Sequence, residues 1–188
     1  MKALIALLRK LLLCPIAFFG GILALSILAI AAAIASEVFW GLEPCRLCIY
    51  QRWGFVATGL LGALGLIFRK NPLHGAIFAA LAGLAFLGNA AVAFYHTGVE
   101  EKWWVSQVEG CTIPSFDFDS NSGSQSWIDN IMSAPSKPCD VIAWQDPFFG
   151  LSMANYNLAL CFGMALICAL AAVLYFRKSR IAPNPLSA

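Results

Sequence analysis

Four long runs without a charge constrain this chain more than any other feature: residues 11–35, 53–68, 75–95 and 151–176. A helix needs about 20 residues to cross the hydrocarbon core of a bilayer. Lipid offers an open backbone no hydrogen-bond partner, so such runs are predicted to be helical. The second is the shortest and reaches the required length only if its helix starts near Tyr50. Only 12% of the 188 residues are charged and 60% are hydrophobic, against about a quarter charged in soluble domains. These features predict an all-α membrane protein, a four-helix transmembrane bundle forming one domain over residues 1–188. Its spans are predicted at 12–35, 49–68, 74–95 and 152–176.

The charges orient the spans. Lys2, Arg9, Lys10, Arg69, Lys70, Arg177, Lys178 and Arg180 fall in the N-terminal tail, the second loop and the C-terminal tail, with no carboxylate among them. All the acidic residues lie in the other two loops or at their edges, joined there only by Arg46, Arg52, Lys102 and Lys137. Lys and Arg are retained on the cytoplasmic side. Both termini are therefore predicted to be cytoplasmic, with loops 36–48 and 96–151 outside. Ala33-Ile34-Ala35 resembles a signal-peptide cleavage site, but the apolar run before it far exceeds the roughly 7–15 residues of a signal core. Bulky Leu13 ahead of Cys14 speaks against a lipoprotein site, so the first helix is expected to stay uncleaved.

The long outer loop between the third and fourth helices differs in texture and holds four of the six tryptophans. Trp103, Trp104 and Trp144 suit an interfacial aromatic belt. Residues 120–126 read as a polar, patternless stretch. Residues 127–132 carry helical spacing of apolar groups, which suits a short helix lying on the membrane or packing on the loop itself.

The seven cysteines sort by position. Cys14, Cys161 and Cys168 fall in apolar segments and are expected to behave as small buried groups. The other four lie on the outer side, where disulfides persist, and form two pairs by sequence: Cys45 with Cys48, and Cys111 with Cys139. A Cys111–Cys139 bond would staple the long loop and contribute about 3 kcal/mol. Cys45-x-x-Cys48 closes too small a ring to add much stability, but such a pair can cycle between thiol and disulfide. Pro44 suits the first turn of a helix, which would put Cys45 and Cys48 on one face at i, i+3. The positive helix end, with Arg46 and Arg52, favours a thiolate there. Metal ligation is the weaker reading. Cys-x-x-Cys is a common zinc half-site, but Cys111 and Cys139 are too widely spaced to supply the other half, and His96 is the single histidine on the outer side.

Arg52 lies one turn deeper than Cys48 on the same face. It either snorkels to the headgroups or serves an acceptor docked beside the thiols. His96 ends the third span at the same level and either lines that site or is a plain interfacial histidine. Asn89 suits interhelical hydrogen bonding, and Gly54, Gly59, Gly62, Gly65, Ala159 and Gly163 suit close helix packing. A reactive dithiol at the bilayer edge with a second pair on a loop suggests a thiol–disulfide relay. No haem, flavin or nucleotide signature is present in the chain, so an acceptor arriving from lipid would be a membrane quinone, with Arg52 and His96 suited to its carbonyl oxygens.

"PCRLCIYQRW" at 44–53, "YHTGVE" at 95–100, "GLSMANYN" at 150–157 and the loop pair together resemble the bacterial disulfide bond formation protein B (DsbB) family over essentially the whole chain. Some members carry Glu where Gln51 stands. The resemblance implies a multi-pass protein of the bacterial inner membrane with its site on the periplasmic side. Its activity would be quinone-dependent thiol oxidation, with ubiquinone or menaquinone as acceptor and a periplasmic thioredoxin-like, DsbA-type protein as partner. Carried over by position, Cys111 would form the mixed disulfide, Cys139 would relay to Cys45, and Cys48 would face the quinone beside Arg52, with His96 nearby. The rival classes are a structural four-span protein with inert disulfides and a metal-binding membrane protein. A vitamin-K epoxide reductase type also uses four helices and quinone, but it places its reactive pair near the last helix.

Overall fold

The structure is a computed structural model and describes residues 2–109, 111 and 137–181. Five helices follow in order: α1 Lys2–Leu13, α2 Pro15–Trp40, α3 Arg46–Ile67, α4 Pro72–Glu100 and α5 Met153–Ile181. Among the described residues there is no β-strand, only an isolated bridge between Gln145 and Ser152. Helices α2, α4 and α5 are long and apolar enough to cross a membrane. Helix α3 has the length, 22 residues, but Arg46, Gln51 and Arg52 make its opening turns polar.

Local chemistry sets the helix ends. Cys14 is extended, and Pro15 behind it opens α2, since proline's missing N–H costs nothing at the first helical position. Helix α2 stops at Gly41, whose φ of 63° is left-handed and returns its N–H to the Glu37 carbonyl at 3.0 Å. Glycine adopts this conformation without a Cβ clash. Asn71 caps α4 by accepting the Leu73 N–H at 2.9 Å, and Pro72 follows it.

Neighbours in sequence pack as neighbours in space: α2 on α3, α3 on α4, and α4 on α5. One apolar core joins all four, with Phe19 and Ile22 from α2, Phe55 from α3, Phe86 from α4, and Cys168 and Tyr175 from α5. Helix α3 makes close approaches on both sides. A Cβ on Gly62 would sit 3.1 Å from the α2 main chain at Phe19 and Leu23, and one on Gly65 would strike the Phe19 ring. Gly54 does the same for Asn89 of α4.

Three expectations change. Ala159 is exposed and a Cβ built on Gly163 would meet nothing within 4 Å. The α5 stripe facing α4 instead runs through Ala154, Cys161, Ala165 and Cys168, the set that shares one face at helical period. Cys14 is exposed while Cys161 and Cys168 are buried, because Cys14 occupies the break between α1 and α2. Residues 2–11, read as a tail, and residues 12 and 13, read as the start of the first span, form a separate helix. Residues 120–126 and the helix expected at 127–132 lie outside the described residues.

The alternation of direction brings the start of α3, the end of α4 and the start of α5 to one end of the molecule. The Ser152 hydroxyl there donates to the Glu100 carboxylate at 2.5 Å.

Candidate functional site

Helix α3 starts at Arg46, so Pro44 precedes the first turn instead of entering it, and Cys45 is the cap. The Cys45 sulfur accepts the Cys48 N–H at 3.2 Å, doing the work that a serine or aspartate oxygen does at other helix starts. The two sulfurs are 2.7 Å apart. This pair sits ahead of the apolar part of α3. The hydrogen bond from Cys45 holds Cys48 below the usual thiol range, and the positive Arg52 adds to that effect against the opposing cost of burial. The same hydrogen bond, with burial, drives Cys45 upward. Of the two thiols Cys48 is thus the more acidic and Cys45 the one that holds its proton more tightly.

His96 is buried, four residues before the end of α4. Its Nε2 lies 3.5 Å from the Cys45 sulfur and 3.6 Å from Glu100 Oε1. Its Nδ1 is 3.0 Å from the Gln51 amide nitrogen. Gln51 Oε1 accepts from Asn157 Nδ2 at 2.8 Å, and the Cys161 thiol donates to Asn157 Oδ1 at 3.1 Å. Asn89 Nδ2 then donates to the Cys161 sulfur at 3.5 Å. A polar ladder thus runs from the thiol pair into the apolar interior, touching α3, α4 and α5. Read in this direction, Gln51 donates to Nδ1, and Nε2 carries the imidazole proton facing Cys45.

Sequence reading missed Gln51, Glu100 and Asn157. The available signal was their polarity at the ends of apolar runs, with His96 and Glu100 at i, i+4. It expected Asn89 to join helices, and Asn89 does so through Cys161.

Cys111 and Cys139 are disulfide-bonded and buried. They form one packed cluster with Cys45, Leu47 and Val99, so the structure brings all four outer cysteines together. Trp104 holds the returning chain in place. It stacks on Tyr95 at 5.9 Å, donates from Nε1 to the Tyr95 carbonyl at 3.2 Å, and lies where a side chain on Gly98 would be.

Arg52 pairs with Glu37 of α2. It borders an apolar cavity of about 410 Å³ between α2, α3 and α5, with Cys48, Ala33, Phe55 and Tyr156 also in its wall. A second, smaller cavity of about 50 Å³ lies among Cys45, Cys48, His96 and Glu100. Cys48 borders both. His96 borders only the smaller one, so it sits with the thiols and away from the apolar cavity.

A helix-capping thiol pair, packed against a disulfide at one end of membrane-length helices, is an arrangement suited to thiol–disulfide exchange. Residues 16–171 match the family described as "Disulfide bond formation protein DsbB". The chain is 32% identical over 153 residues to disulfide bond formation protein B of Acinetobacter baumannii, covering 79% of this chain and 86% of that protein. It is 32% identical to the Acinetobacter baylyi protein, covering 80% and 87%. The Stutzerimonas stutzeri protein is 29% identical, covering 81% and 88%. No solved structure gives a significant match. The chain belongs to the DsbB family, and is thus a disulfide bond formation protein of the membrane whose family activity is disulfide-generating oxidoreduction.

Proposed function

We propose that this chain is a four-span oxidase of the bacterial inner membrane. It takes two electrons from a periplasmic, thioredoxin-like partner of the DsbA type and delivers them to membrane quinone. Both termini would then be cytoplasmic, with the thiol end of the bundle at the periplasmic surface. The observation that carries the reading is the double exposure of the α3 thiols. Cys45 packs against the loop disulfide, while Cys48 borders a cavity lined mainly by apolar groups.

The exchange steps balance through the chain's own sulfurs. A thiolate of the partner attacks Cys111 and displaces Cys139 as thiolate. The partner's second thiol resolves the mixed disulfide and leaves oxidised, with its two electrons on Cys111 and Cys139. Cys139 attacks Cys45 of an oxidised Cys45–Cys48 pair and displaces Cys48 as thiolate. Cys111 then attacks Cys139, which re-forms the loop disulfide and frees Cys45 to take a proton. Thiolate attack at sulfur needs access and a good leaving group, and a depressed Cys48 pKa makes it the better leaving group. His96 Nε2–H, 3.5 Å from the Cys45 sulfur, can donate a hydrogen bond to the Cys45 thiolate as it forms.

The 410 Å³ cavity suits a quinone ring: it is apolar, opens between helices, and has one cation in its wall. Cys48 and Arg52 would hold the ring. A bound quinone supplies the two-electron acceptor that returns Cys45 and Cys48 to the disulfide. Glu37 fixes the Arg52 guanidinium at the cavity edge, where it can donate to a carbonyl oxygen.

The test is direct. Purified protein, a soluble quinone and a reduced thioredoxin-like partner should consume quinone one for one with partner disulfide formed, and Cys48→Ser should end it. Partner oxidation that proceeds without quinone loss, or outer cysteines that never change state, would leave the inert-disulfide reading in possession.

A further inference from the structure

Sequence spacing offered a metal only the Cys45-x-x-Cys48 half-site. The fold adds a third ligand from a different helix. The Cys45 and Cys48 sulfurs and a His96 ring nitrogen all lie within 4.8 Å of one another. Glu100 Oε1 stands 3.6 Å from the same His96 nitrogen. A small cavity of about 50 Å³ borders these four residues, with Lys137 and Trp144 also in its wall, and gives an ion room beside them. Tetrahedral zinc, with bonds of about 2.3 Å to sulfur and about 2.0 Å to nitrogen or oxygen, sets its ligand atoms about 3.3–3.8 Å apart. The Cys45–His96 separation of 3.5 Å already falls there. The two sulfurs, at 2.7 Å, must part by about 1 Å to reach that spacing, which is a small side-chain rotation at a helix cap.

We propose that the dithiol form of this site binds a thiophilic divalent cation of the zinc class through Cys45, Cys48 and His96 Nε2, with a water completing the tetrahedron on the side of Glu100. The bound ion holds the enzyme reduced. Binding releases the thiol protons still present and changes no oxidation state. The imidazole proton moves from Nε2 to Nδ1, and the Gln51 amide turns over so that its oxygen accepts that proton's hydrogen bond. Gln51 then accepts from the Nδ1–H of the ligating imidazole, the hydrogen bond that orients metal-bound histidines. Its amide nitrogen donates instead to Asn157, whose own amide turns over in the same sense. The Cys45–Cys48 disulfide cannot bind, so cation affinity reports the redox state. This reading rests only on the dithiol and survives even if the acceptor is not a quinone.

The experiment uses full-length protein in detergent carrying Cys111→Ser and Cys139→Ser, reduced with a phosphine that is then removed. Titration with Co²⁺ should give one equivalent with thiolate charge-transfer and tetrahedral d–d bands, cleared by Zn²⁺. The same protein with Cys45 and Cys48 oxidised should give neither. His96→Ala should weaken Co²⁺ by about tenfold or more, in line with the sensitivity of metal sites to lost partners, while maleimide still labels both thiols. Absence of the bands in the reduced protein overturns the proposal. So does an affinity unchanged by His96→Ala, which would mean that the two thiols alone hold the ion.

Discussion

Cys48 and Cys161 are the same functional group on two helices of one bundle, yet their surroundings give them opposite characters. Cys48 lies in the first turn of α3, between the small cavity beside His96 and Glu100 and the larger apolar one, with a sulfur neighbour at 2.7 Å and Arg52 beside it. Cys161 lies deep on α5, fully buried, and its only polar contacts among the described residues are two asparagines. Reactivity in a thiol follows from access and from what stabilises the anion. Cys48 has both and Cys161 has neither, so position on the helix divides redox group from packing group.

The largest effect should separate these classes outright. Cys48→Ser should lower quinone-linked oxidation of a partner dithiol by about a thousandfold or more, because no other sulfur here can complete the exchange. Cys168→Ala, buried in the same helix as Cys161, should stay within about twofold of the parent. A dead Cys168→Ala variant would break the comparison.

Arg52→Ala should raise the quinone KM by about tenfold or more, the weight of one charge-assisted hydrogen bond, while partner binding stays unchanged. Steady-state rates with quinone and partner titrated separately would reveal an equal loss on both sides, which would contradict that role.

Alkylation against pH sharpens the contrast. Cys48 lies below the usual thiol range, so its thiolate persists to lower pH than that of an ordinary thiol. Its modification rate should fall only as pH drops through that depressed value, and Arg52→Ala should move the midpoint upward. Cys161 should stay unmodified at every pH in folded protein.

The smallest effect concerns the polar ladder. Gln51→Leu strips His96 Nδ1 and Asn157 Nδ2 of their partner, at a cost of about 1–3 kcal/mol for buried groups left unpaired. The reading is a lower thermal midpoint of the purified protein. An unchanged midpoint would mean that the ladder contributes nothing to the fold.

The helical architecture was legible because its signal is long and redundant: each apolar run spans many residues, and helices occupy all four. The Cys45–Cys48 pair was legible because both members sit within four residues of one another. What escaped was every feature assembled from distant chain. Gln51, Glu100 and Asn157 are ordinary polar residues until α3, α4 and α5 are set side by side. The face that α5 turns inward was misjudged because Ala159 and Gly163 are as small as the residues that truly pack, and a helix that is apolar nearly all round shows no clear stripe. Cys14 and the helical Lys2–Leu13 segment turned on one residue, the extended break before Pro15.

The ladder from His96 through Gln51, Asn157 and Cys161 to Asn89 returns to the helix it started from, seven residues earlier in α4. Lipid tails resemble leucine side chains, so apolar contact hardly tells one rotational setting of a membrane helix from another. A closed circuit of donors and acceptors does tell them apart. Turning α3 by a single residue position would open it at Gln51, and turning α5 would open it at Asn157. The circuit thus works as a keyed coupling, indexing three helices so that the Cys45 sulfur meets the imidazole each time the chain folds.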